Sequence, residues 1–182
     1  MSTRAVAALL VVLLALATPA SAQELHVGPY VQDVTTSSAW ILWETTGGEE
    51  SVVEWGATDA LGQSATGGSI PSEGTNRVHE VELTGLLPAT RYHYRVRTGA
   101  AVSEPFHFTT APARVDEVTF RLAAMSDMQI DRANPEVYGQ VIREGILALL
   151  AAEGHALPDD GLGFVLVPGD LVDDGDEYDQ WR

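Results

Sequence analysis

From Leu25 to Pro112, apolar and polar residues alternate one by one in short runs, with glycine, serine and proline between the runs. A period of two sends successive side chains to opposite faces of a strand, so each run can bury one face and wet the other. Several such runs at close spacing predict a β-sandwich. The strands read from the pattern are Ser38 to Glu44, Ser51 to Trp55, Val78 to Leu83, Arg91 to Arg97 and Pro105 to Thr109. In the fourth, Tyr92, Tyr94 and Val96 face the core while His93 and the arginines face away. Gly47 to Glu50 and Gly62 to Gly74 read as loops, the second because glycine and serine crowd it.

Beyond Pro112 the pattern changes to solid apolar runs, which suit strands covered on both faces by helices. Residues 113–118 read as a linker. Two runs, Thr119 to Ala124 and Gly163 to Val167, flank a helical stretch in which Val137, Val141, Ile142, Ile146, Leu149 and Leu150 recur at helical spacing. There Asn134 is placed to cap the first turn, Pro135 to occupy the first helical position and Gly154 to end the helix. Strand, helix, strand with a right-handed crossover makes a parallel pair. The predicted organisation is therefore a leader over residues 1–22, a β-sandwich over 23–112, and the opening βαβ unit of an α/β domain over 119–182.

Each of the two apolar runs is followed by an aspartate, Asp127 and Asp170. In a parallel pair both leave the carboxyl edge of the sheet, where open α/β sheets place their ligands. Two carboxylates gathered there repel unless a cation lies between them, which points to a metal site. Gln129, two residues past Asp127, can turn toward the same ion, and Gly169 frees Asp170 to bridge two ions. Two ions can activate a water, so no side-chain nucleophile is called for. The chain has no Gly-x-Ser-x-Gly motif to supply one.

Composition removes several alternatives. The chain of 182 residues carries 10 basic and 26 acidic side chains, a net charge of -16, and its basic residues are all arginine. Without lysine there is no Walker-type phosphate loop and no Schiff base; without cysteine, no thiol nucleophile, thiolate zinc site or disulfide. Binding to nucleic acid backbone is disfavoured for want of a basic patch. Residues 1–22 combine Arg4, the apolar run Ala5 to Ala17 and the small-residue site Ala20-Ser21-Ala22, the pattern of a secretory signal cleaved before Gln23. The apolar run is shorter than the roughly 20 residues a membrane span needs. A secreted or periplasmic product that keeps no membrane anchor is the expectation.

Several of these segments resemble known families. Leu86-Leu87-Pro88-Ala89-Thr90-Arg91-Tyr92 looks like the turn and tyrosine corner of fibronectin type III domains. Ser126-Asp127-Met128-Gln129 and Pro168-Gly169-Asp170-Leu171-Val172-Asp173-Asp174-Gly175 resemble the first two motif blocks of the calcineurin-like metallophosphoesterases. Val27 to Gln32, Trp40 to Trp43 and Glu54-Trp55-Gly56 resemble the amino-terminal sandwich of purple acid phosphatases. The resemblance implies a fibronectin type III-like sandwich followed by the front of a metallophosphoesterase domain. It also implies an acid phosphatase-like hydrolase that acts on small phosphomonoesters with two metal ions, iron, manganese or zinc.

Carried over residue by residue, Asp127 is implied as a ligand of the first metal and Asp170 as the bridging ligand, while Gln129 stands where many relatives carry a histidine ligand. Asp173 stands where the purple enzymes carry the tyrosine that colours their iron, which implies a colourless site. The family's Gly-Asn-His block and later histidines, which supply the remaining ligands and the acid, do not occur in these residues, so the chain reads as the front portion of a larger enzyme.

Other readings stand beside this one. An aspartate after a strand is often only a helix cap or loop carboxylate. The acidic run Asp170 to Asp179 lacks the ligand spacing of a calcium loop and reads, beyond Asp170, as a solvated loop and helix start anchored by Tyr178 and Trp181. His26, His79, His93 and His107 lie in the sandwich and His155 after the helix, where surface or core roles are the ordinary ones. Tyr30, Trp40 and Trp55 could make the sandwich a binding module, although such aromatics are more often core. An inactive fragment is the third reading.

Overall fold

A computed structural model describes residues 23–117, 119–128, 133–155, 161–169, 171–172 and 174–176. The leader read over residues 1–22 lies outside them. Nine strands form two antiparallel sheets. In one, β1 (Leu25–Gln32), β2 (Ser38–Thr45), β6 (Arg77–Thr84) and β5 (Gly68–Pro71) lie in the order β1-β2-β6-β5. In the other, β4 (Gln63–Thr66), β3 (Val52–Gly56), β7 (Arg91–Thr98) and β8 (Ala101–Val102) lie in that order, and β9 (Phe106–Thr109) also pairs with β7.

Alternation drives the packing. Ile41 and Trp43 of β2, Val81 and Leu83 of β6, Val53 and Trp55 of β3, Tyr92, Tyr94 and Val96 of β7, and Phe108 of β9 form one buried cluster between the sheets. Each large aliphatic side chain so buried stabilises the fold by about 1.5 to 3 kcal/mol. The phenol of Tyr92 accepts the Leu87 backbone N–H at 2.9 Å, so the tyrosine corner read from the sequence forms. Trp55 is core, Trp40 half-buried and Tyr30 exposed on β1. The β1–β2 register slips between Leu25 and Val27 and again between Val27 and Tyr30. Pro29, which has no N–H to give a ladder, lies in the second slip and is tolerated because β1 is an edge strand.

The stretch read as a loop from Gly62 to Gly74 contains β4 and β5 instead. The two strands are edges of opposite sheets, and the chain changes sheet at Gly67. A Cβ there would lie 2.0 Å from the Glu80 carbonyl oxygen, so only glycine permits the crossing. Edge strands need bury little, which is why polar residues serve and why composition misleads here.

The segment after the sandwich holds a parallel pair, β10 (Leu122–Ala124) and β11 (Phe164–Leu166), in the register Leu122↔Phe164, Ala123↔Val165 and Ala124↔Leu166. Between them run α1 (Val137–Gln140), a π-helical stretch (Val141–Leu147) and α2 (Ala148–Ala152). The least exposed residues here include Tyr138, Ile142, Ile146 and Leu150, spaced strictly by four. Four exceeds the 3.6 residues of an α-turn, so a straight α-helix would swing this stripe away; the wider π turns keep it on one side. The Tyr138 hydroxyl meets the Met125 sulfur just past β10 at 3.9 Å.

Three local expectations are corrected. The helix is capped by Glu136 without a side-chain bond, and Asn134 contributes its backbone carbonyl to the Val137 N–H at 3.1 Å rather than its side chain. Pro135 sits in the preceding turn. The apolar runs are not covered on both faces: Leu122, Phe164, Val165 and Leu166 stay about half exposed among the described residues, since only two strands and one helical segment meet there. Gly154, with φ of 89°, does end the helix.

Candidate functional site

Because β10 and β11 are parallel, the chain leaves both at one end, and two hydrogen bonds continue the pairing past the strands. Met125 N–H donates to the Leu166 carbonyl at 3.0 Å, and the Ser126 hydroxyl donates to the Gly169 carbonyl at 3.3 Å. The two motif segments are thus stitched side by side at the carboxyl edge.

Asp127 comes next and takes φ of 58°, a left-handed conformation that aspartate tolerates better than most residues. The turn leaves the residue exposed, and its carboxylate makes no hydrogen bond or ion pair among the described residues. An unpartnered carboxylate on a sharply turned strand end is a fit donor for a hard or borderline cation. Gln129 and Asp170, the other two residues read as ligands, lie outside the described residues. Among the described residues no three histidine, aspartate or glutamate side chains gather into a metal site.

In the acidic run, Asp174 accepts the Asp176 backbone N–H at 3.0 Å through its own carboxylate, a local turn. Asp173, Glu177, Tyr178, Asp179 and Trp181 lie outside the described residues.

The histidines divide by burial. His79 is wholly buried: Nε2 pairs with the Thr45 hydroxyl at 2.7 Å, Nδ1 pairs with the Ser51 hydroxyl at 2.8 Å, and the ring stacks on Trp43 with centroids 4.9 Å apart. Burial first, and then the nearby Arg77 charge, push its pKa down to about 4, so it is a neutral core residue. His26 is exposed on β1, and His155 faces the Arg121 guanidinium at 3.4 Å. His93 and His107 oppose each other across β7 and β9.

Sequence reading missed an open cleft on the sandwich, lined by Glu54, Leu61, Gln63, Ser64 and Arg95. Its two charges satisfy each other as an ion pair. The cleft depends on the short β4, which the composition hid.

Comparison with known proteins bears on the sandwich. Residues 25–110 match the family model described as purple acid phosphatase, N-terminal domain. Among solved structures the chain is similar to PhoD, with 20% identity, 56% of this chain and 22% of that one covered, and a TM-score of 0.46. It is also similar to the purple acid phosphatase PPD1 from yellow lupin (Lupinus luteus) seeds, with 18% identity, 57% and 23% covered, and a TM-score of 0.45. A third is the short sensor domain of the anti-sigma factor RsgI4 from Pseudobacteroides cellulosolvens, with 16% identity, 48% and 95% covered, and a TM-score of 0.40. At these identities and scores the structural likenesses carry no argument about activity. The chain spans less than a quarter of the length of PhoD and of the lupin enzyme. Comparison with curated proteins gave no match.

Proposed function

We propose, from the match of residues 25–110 to the purple acid phosphatase N-terminal domain model, that the chain serves a secreted, metal-dependent phosphohydrolase acting on small phosphomonoesters. The observation that carries the reading is the stitched carboxyl edge of β10 and β11, where Ser126 bonds Gly169 and Asp127 beside it has no partner among the described residues. On this reading Asp127, Gln129 and Asp170 would hold the metal ions, with iron, manganese or zinc as the candidates. Bound there, such ions would supply a water activated at neutral pH and offset the charge of a transferring phosphoryl group.

The chain's own contribution is geometric. The parallel register fixes the spacing of the two strand ends, and the left-handed turn at Asp127 presents its carboxylate outward. The Ser126 hydroxyl holds the second segment against the first. On this reading the sandwich takes no part in the chemistry, its large aromatics Trp43, Trp55, Tyr92 and Tyr94 being spent on the core. The domain limits of 23–112 and 119–182 belong to the same proposal.

The test is hydrolysis of p-nitrophenyl phosphate by the protein expressed from its complete reading frame, with Mn²⁺ or Zn²⁺ and with chelator, beside Asp170→Asn. Metal-stimulated hydrolysis that falls to background in the variant is the expected result. Hydrolysis unaffected by both chelator and Asp170→Asn, or none in the native protein, would overturn the reading.

A further inference from the structure

On the outer face of the five-stranded sheet, β7 and β9 bring two imidazoles directly opposite one another. His93 and His107 are register partners, and they share the outer face because Tyr92, Tyr94 and Phe108 take the inner one. Their ring centroids lie 6.0 Å apart with the planes inclined by 39°, and both residues are half-exposed. Two imidazoles that each put one nitrogen about 2.0 to 2.1 Å from a shared ion hold their centroids about 5 to 6 Å apart. The pair therefore has the ring separation that chelation requires, on a frame of two paired strands.

We propose that His93 and His107 form a chelating site for a borderline transition-metal ion such as Zn²⁺, Ni²⁺ or Cu²⁺, separate from the edge at Asp127. Three arginines share the outer face of β7, but Arg95 is neutralised by Glu54 and Arg97 by Glu50. Arg91 lies level with Thr109, one pair further along. The chain as a whole is strongly acidic, with a net charge of -16, which attracts cations from a distance.

Imidazole nitrogen donors select for ions high in the Irving–Williams order and against Mg²⁺, Ca²⁺ and Mn²⁺. Water completes the coordination, so affinity falls below that of structural zinc sites with four protein ligands. Thirteen residues separate the two histidines, which come together only in the folded sheet, so the ion stabilises the folded state by mass action.

Isothermal titration of the untagged chain with NiCl₂ and with MgCl₂ tests this, using wild type, His93→Gln, His107→Gln and Asp127→Asn, because Ni²⁺ is not among the ions proposed for the edge at Asp127. The expected result is Ni²⁺ uptake, with no Mg²⁺ uptake of comparable affinity, that weakens at least about ten-fold in either histidine variant and persists in Asp127→Asn. Ni²⁺ should also raise the melting temperature of wild type but of neither histidine variant, and without metal the three should melt together, which excludes a folding defect as the cause. Ni²⁺ uptake unchanged in both histidine variants, uptake lost only in Asp127→Asn, or no uptake at all would overturn the proposal.

Discussion

The buried His79 makes the sandwich acid-labile in a window that the structure defines. In the unfolded chain an imidazole takes up its proton near 6.5, while in the folded chain burial beside Trp43 and the Arg77 charge hold that uptake off until about 4. Between those values the unfolded state binds more protons, so stability falls as pH drops through the window, is intact above 6.5 and has lost the full amount below about 4. A difference of about 2.5 pH units corresponds to about 3 kcal/mol, a large share of what a small domain has.

Glu50 does not confuse the window. The Gly99 N–H first, and then Arg97, hold its carboxyl below the ordinary range, so its contribution is present above 4.5 and is lost only on further acidification. The assay is urea unfolding followed by tryptophan fluorescence, since Trp43 and Trp55 both report the sandwich core, at steps from pH 7 to pH 4.5. Wild type should lose stability at up to about 1.4 kcal/mol per pH unit, and His79→Gln, although less stable at pH 7, should show a flatter curve. Parallel curves for the two proteins would refute the reasoning. If the slope is found, the sandwich sets a lower limit on the pH at which a phosphatase carrying it can work.

Three further outcomes follow from packing. Tyr92→Phe leaves the Leu87 N–H without its partner and should cost about 1 to 3 kcal/mol, seen as a drop of roughly 4 to 8 °C in melting temperature per kcal/mol for a domain of this size. Gly56→Ala drives a Cβ to 1.9 Å from the Leu61 carbonyl oxygen, backbone that cannot swing aside, and should cost about 1 to 3 kcal/mol by denaturant titration. Gly28→Ala, with open space around it, should stay within about 0.5 kcal/mol.

The sandwich was legible where burial is one-sided. In β7 the residues Tyr92, Tyr94 and Val96 alternate with charged ones, and in β6 Val81 and Leu83 alternate with Glu80 and Glu82, so a period of two names both the strand and its inner face. It was not legible where a strand buries almost nothing: Gln63 to Thr66 and Gly68 to Pro71 are strands because β3 and β6 offer them backbone partners, and composition carries no trace of that. The helix was found but its winding was not, since the four-residue spacing of Tyr138, Ile142, Ile146 and Leu150 is close enough to an α-helical stripe to pass for one. At the candidate site, the place of Asp127 at a strand end followed from the apolar run before it. Its left-handed turn and the Ser126 bond to Gly169 depend on backbone geometry that no residue pattern announces. The His93–His107 pair was hidden for a related reason: each is unremarkable in its own strand, and only the register across β7 and β9 makes them neighbours.

A metal site built on the carboxyl edge of β10 and β11 is tested most directly by electron paramagnetic resonance of Mn²⁺ added to the protein expressed from its complete reading frame, because Mn²⁺ favours carboxylate over imidazole donors. A bound Mn²⁺ signal is expected that is lost in Asp127→Asn and in Asp170→Asn and kept in His93→Gln. Asparagine tolerates the left-handed backbone at position 127, so that loss would report the charge rather than the fold. A bound signal indifferent to both aspartate substitutions would contradict a site at that edge.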